Sequence, residues 1–79
     1  MFSLDDAKRI GDQLNIDWNV VDINQFHMGI NVELEHGSKY PDTNITNDNP
    51  LLTGKITLAH LYEIKDYYTK LKGVEGEGN

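Results

Sequence analysis

The architecture follows from residues 23–37, INQFHMGINVELEHG. At roughly 100° per residue, Ile23, Phe26, Ile30 and Leu34 fall on one stripe of a helical wheel, so the stretch reads as an amphipathic helix from Ile23 to His36. Asp22 followed by Gln25 three residues later is a capping box that starts it, and Gly37 stops it. Gly29 inside the helix costs about 1 kcal/mol relative to Ala, which points to close approach of another backbone there.

Toward the N-terminus, Ser3 and Asp6 have the spacing of a helix start, and the carboxylate suits the positive end of the helix dipole. Leu4, Ala7, Ile10 and Leu14 then recur at helical spacing, and Asn15 closes this first helix because Asn tolerates the left-handed conformation. Ile16–Val21 is a short connection in which Trp18 is expected over the core, its indole N–H on a backbone carbonyl.

Toward the C-terminus, Gly37–Asn49 (GSKYPDTNITNDN) is rich in turn formers and longer than most helix–helix connections. Asn49 caps the next helix, and Pro50 suits its first position because the missing N–H has no partner there anyway. That third helix runs to about Glu63. It carries one apolar stripe of Leu52, Ile56 and Ala59 and another of Leu51, Leu58, Leu61 and Tyr62, the pattern of a central helix covered from both sides. Asp66 starts a last short helix, Tyr67–Lys72. No strand-like alternation, repeat or second domain is visible. The expectation is an all-α fold: a compact bundle of three to four helices over residues 1–72, a long loop between the second and third, and a disordered tail over 73–79.

The chain has 79 residues, no cysteine and a formal charge of −6. A core this small stabilises by only about 3–5 kcal/mol without a staple. Disulfides and thiolate metal sites are excluded. The apolar runs are too short for a membrane span, and the acids near the N-terminus do not fit a signal peptide, so a cytoplasmic location is expected. The basic footprint of a direct nucleic-acid binder is missing. The scattered acids read as a solvated surface, or alternatively as a face that mimics DNA toward a basic protein.

One cluster points to chemistry. Glu33-x-x-His36 lies on the second helix and His60-x-x-Glu63 on the third, and residues three apart share a helix side. His60 and Glu63 fall within roughly 40° of Ile56, so they point with an apolar stripe, and Glu33 sits roughly 60° from Ile30. An ionised carboxylate on an apolar face needs a cation, a donor or a metal. Glu-x-x-His pairs build carboxylate metal sites in helical bundles, and Glu33, His36, His60 and Glu63 would suit a single divalent zinc, iron or manganese ion. The competing reading is that His and Glu bond each other and favour helix ends. Antiparallel packing of the two helices would separate the two pairs, whereas a crossover through the long loop would unite them; both orientations remain open. His27 lies on the opposite flank and reads as a core-edge histidine.

Other motifs fail. Asp42-x-Asn44-x-Thr46-x-Asp48 imitates a calcium loop, but Asn47 stands at the required Gly and Thr53 at the closing Glu. Gly54-Lys55 lacks the upstream Gly of a phosphate loop. A closed catalytic pocket has little room in so small a chain. Tyr40, Tyr67 and Tyr68 are candidates for a partner-contact surface, since aromatics are enriched at contact centres; the alternative is partial core burial with the hydroxyls in water.

From Phe2 to Leu71 the chain resembles a small family of uncharacterised proteins found in phages and bacteria, a domain of unknown function. The resemblance rests on LDDAKRIGDQLNIDW (4–18), QFHMGINVELEHG (25–37) and LTGKITLAHLYEIKDYY (52–68). Its motif residues here are Glu33, Glu35, His36, His60, Glu63, Asp66, Tyr67 and Tyr68. Family members commonly carry Pro before Asp-Tyr-Tyr, where this chain has Lys65, which leaves the helix break near Ile64 without proline's support. The resemblance implies a phage or bacterial origin and a small helical fold, and it transfers no activity. Three functions follow as expectations: an accessory protein that binds a host or phage protein, a metal-binding protein with a Glu/His site, with hydrolysis as one use, and a DNA-mimic inhibitor.

Overall fold

Local capping sets the first helix. α1 spans Leu4–Gln13; the Ser3 hydroxyl accepts from the Asp6 N–H at 3.1 Å while the Asp6 carboxylate accepts from the Ser3 N–H at 3.0 Å. At its other end Asn15 adopts φ 59°, the Asn15 N–H donates to Asp12 O, and the Ile16 N–H donates to Gly11 O. These are the paired bonds of a Schellman stop, with Asn supplying the left-handed residue. The computed structural model describes the backbone of residues 1–39 and 49–75 and the side chains of 1–35 and 49–71.

α2 spans Ile23–Lys39. Asp22 Oδ1 accepts from the Asn24 and Gln25 N–H groups, but the Gln25 side chain donates to Thr69 Oγ1 on α4. The expected capping box is therefore half formed: the Gln25 side chain turns to α4, and its Oε1 does not accept from the Asp22 N–H. The helix also continues past His36 and through Gly37, because a glycine permits a stop without enforcing one.

α3 spans Pro50–Glu63, with Asn49 Oδ1 accepting from the Leu51 and Leu52 N–H groups and Pro50 in the first turn. Ile64 is extended and breaks the chain there, although Lys65 stands where proline was expected. α4 spans Tyr67–Glu75, three residues beyond the predicted end at Lys72. Of the tail expected to be disordered, residues 73–75 continue α4, and 76–79 lie outside the described residues, as does the connection at 40–48.

Among the described residues the fold is all-α, and its four helices share one core built on Ala7, Ile10, Ile16, Val21, Phe26, Ile30, Leu61 and Tyr68. Trp18 packs its ring over Gly11 and edge-on to Phe26, and its indole N–H donates to Asp12 Oδ1 at 2.9 Å rather than to the backbone carbonyl expected. The carboxylate, one residue from the end of α1, is the stronger acceptor. Among the described residues no helix is long and apolar enough to cross a membrane.

The α2–α3 pairing carries the main surprise. Phe26 lies against Gly54, Gly29 against Thr57, and Glu33 against His60. Residue numbers rise together in both helices, so α2 and α3 run side by side in parallel sense. Lys39 and Asn49 then sit at opposite ends of the pair, about 25 Å apart along the axis at 1.5 Å per residue, within the roughly 33 Å reach of the chain between them. α3 buries Thr53, Gly54, Thr57 and Leu61. The hydroxyls of Thr53 and Thr57 donate to the carbonyls of Asn49 and Thr53, four residues back, so their burial leaves no donor unpaired. Of the expected apolar stripes only Leu61 enters the core: Leu51, Leu52, Ala59 and Tyr62 are exposed and Ile56 and Leu58 half-buried. Small side chains let the parallel pair approach closely, and that approach outweighs the burial of larger ones.

Candidate functional site

The residues singled out by sequence converge in part. Glu33 on α2, His60 on α3 and Tyr67 and Tyr68 on α4 form one cluster where three helices meet. Tyr68 seats its ring on Gly29: a Cβ there would lie 2.4 Å from Tyr68 Cε2 and 2.5 Å from Thr57 Cγ2. Glu33 is four residues further along α2, about 6 Å at 1.5 Å per residue, which is the length of a phenol side chain. The Tyr68 hydroxyl accordingly donates to Glu33 Oε2 at 2.8 Å. His60 Nε2 stands 3.7 Å from the same oxygen. The His60 ring stacks on Tyr67, centroids 4.4 Å apart, and both rings meet Tyr68 edge-on.

The electrostatics follow from burial. Tyr68 is 1% exposed. Burial first, and the adjacent Glu33 carboxylate second, push its phenol well above the ordinary range, so it stays a neutral donor. The Glu33 side chain, 15% exposed, gains its compensating donor from Tyr68 and has the 36% exposed imidazole of His60 nearby. The arrangement ties α2, α3 and α4 together through one carboxylate.

Two expectations need correction. Tyr68 cannot serve as a partner contact, because it is buried with its hydroxyl on Glu33. Tyr67 is half-buried against His60. Glu63 does not face inward; it is exposed, because α3 turns its Thr53/Gly54/Thr57 face to α2 and Glu63 lies off that face. The side chain of His36 and all of Tyr40 lie outside the described residues. Among the described residues no group of three or more His, Asp or Glu side chains is placed to hold a metal ion.

His27 holds the core-edge place expected of it: its Nε2 donates to the Phe2 carbonyl at 2.9 Å. Asn31 escaped notice in the sequence. It accepts from the Phe2 N–H at 2.8 Å and donates to the Phe2 carbonyl at 3.0 Å, clamping the segment before α1 onto α2. Nothing local distinguishes Asn31, since its partner is 29 residues away.

The surface differs from the core in kind. Exposed acids Asp5, Asp12, Asp17, Asp22, Glu35, Glu63 and Asp66 are distributed over α1, the α1–α2 connection, α2, α3 and the turn before α4. Two open grooves of about 420 and 300 Å³ flank α1, lined by residues such as Lys8, Asp12, Ile10 and Pro50, and neither includes Glu33 or His60. The outward face of α3 exposes large apolar groups: Leu52 is 42% and Tyr62 66% exposed.

A family model described as "Protein of unknown function (DUF5661)" matches residues 7–77. The chain belongs to this family. No curated protein and no solved structure matches it.

Proposed function

We propose that this member of the DUF5661 family acts by binding a protein, of phage or host origin, through the outward face of α3. The observation that carries this reading is the inversion of that helix. α3 buries Thr53, Gly54 and Thr57 and leaves Leu51, Leu52 and Tyr62 in solvent. Scattered exposed apolar residues are ordinary, but several on one helix face, with an aromatic among them, mark an interaction surface. The Glu33–His60–Tyr67–Tyr68 cluster fits a supporting part, since it holds α3 against α2 and α4 and so fixes the face it presents. A photo-crosslinking residue at Tyr62 tests the reading in cells that express the protein. A discrete adduct is expected from position 62, lost when Leu52→Glu is added, and absent with the crosslinker at Lys8. No adduct at 62, or equal labelling from both positions, refutes it.

A second reading rests on the 3.7 Å approach of His60 Nε2 to Glu33 Oε2. The pair offers one imidazole and one carboxylate to a single zinc, iron or manganese ion, with water in the remaining positions. Elemental analysis of protein purified without chelator checks it; no bound metal and no change in melting on adding zinc or manganese ends it.

A further inference from the structure

We infer that the occupant of the α3 face is a second copy of this chain, paired antiparallel through α3 about a two-fold axis level with Thr57. The inference rests on the reading of that face as a protein-binding surface and names what binds it.

The argument begins with the distribution of exposed apolar groups. Leu51 and Leu52 lie at the N-terminal end of α3, and Tyr62 and Ile64 at its C-terminal end, all exposed. The two groups are placed symmetrically about the middle of one 14-residue helix. A two-fold interface must be self-complementary, with residue i of one copy meeting residue j of the other and the reverse. Antiparallel pairing meets that condition here. It sets Leu52 against Tyr62 of the second copy, and Tyr62 against its Leu52. Leu52, Lys55, Ala59 and Tyr62 recur at the three- and four-residue spacing of a packed helix seam.

Size and charge fit the middle of the same seam. In this register Lys55 of each copy lies over Ala59 of the other, where a methyl group leaves room for the lysine stem. Glu63 follows Ala59 by one turn on the same side, so each ammonium meets a carboxylate of the other copy. Lys55 and Glu63 are exposed and form no ion pair among the described residues. The chain as a whole carries −6. This face carries one charge of each sign, so two copies meet there without the repulsion that their other surfaces would impose.

The chain has no cysteine, which makes a directional test simple. Lys55→Cys and Ala59→Cys proteins are prepared separately, mixed, and oxidised with a mild thiol–disulfide buffer. A mixed disulfide is expected faster in the mixture than either homodimer forms alone, and wild-type protein is expected to sediment as a dimer. Glu63→Lys should weaken the dimer on the order of tenfold, by setting lysine against lysine twice, and the swap Lys55→Glu/Glu63→Lys should restore it. Both positions are exposed, so folding is checked simply by unchanged helicity. A wild-type monomer at several hundred micromolar, with mixed disulfide no faster than for a Lys8→Cys and Ala59→Cys control, overturns the inference. In that event a crosslink from Tyr62 to a different protein leaves the interaction reading standing, and the absence of any crosslink removes both.

Discussion

Gly29→Ala is the sharpest probe of how α2, α3 and α4 fit together, because two effects of known size oppose each other. On an isolated helix the change would stabilise by about 1 kcal/mol, through higher helix propensity. In this fold the new methyl carbon would sit 2.4 Å from Tyr68 Cε2 and 2.5 Å from Thr57 Cγ2, against an ordinary carbon–carbon contact of about 3.5–4.0 Å. The Tyr68 ring must therefore retreat by about 1 Å or more to restore that spacing. It has little room, being enclosed by α2, α3 and its own neighbour Tyr67. Retreat also draws its hydroxyl off Glu33, now 2.8 Å away. Overpacking costs about 1–3 kcal/mol, and a lost hydrogen bond to a charged group about 1.5–3 kcal/mol. Against the propensity gain, the net loss is about 1.5–5 kcal/mol. In a domain of this size that lowers Tm by roughly 6–40 °C. Thermal and urea unfolding followed by circular dichroism measures it. Thr57→Ser removes one of the three obstructing carbons, so Gly29→Ala should do less harm in that background. A Gly29→Ala protein as stable as wild type or more so would refute the close-packing argument, because propensity alone would then govern the position.

Two further predictions concern single contacts. Tyr68→Phe removes the donor to Glu33 and should destabilise by about 1.5–3 kcal/mol at neutral pH. It should also flatten the alkaline limb of the stability profile. The native phenol titrates above the unfolded one, so its contribution is fully present below pH of about 10 and is lost above it, as the unfolded state ionises first; identical alkaline limbs for mutant and wild type would argue against this placement of Tyr68. Asn31→Leu breaks both bonds to the Phe2 backbone and should cost about 1–2 kcal/mol, with faster amide exchange at Phe2 as the specific readout and unchanged exchange as the contrary result.

The cluster itself was half legible. Glu33, His60, Tyr67 and Tyr68 stood out in the sequence as two separate sets, one for a metal and one for a partner, and the fold joins four of those side chains into one site. The spacing within each helix is local information and was readable. That the sets share an oxygen of Glu33 depends on α2 and α3 running parallel and on α4 folding back over both. Glu63 was misplaced for the same reason. Three residues from His60 it shares a side of the helix, but the burial boundary falls between them.

Short-range chemistry accounts for what could be read from the amino acids: Ser3 with Asp6, Asn15, Asp22, and Asn49 with Pro50 each meet their backbone partners within a few residues, so helix starts and the first stop needed no knowledge of distant contacts. Facing is a different matter. Whether Leu52 or Thr53 enters the core depends on how closely a second helix approaches, and that distance is set by Gly29 and Gly54 meeting Tyr68, Thr57 and Phe26 from elsewhere in the chain. Volume at the contact, a property of pairs far apart in sequence, overrode the hydropathy of single residues, and it is why Leu51, Leu52 and Tyr62 face outward.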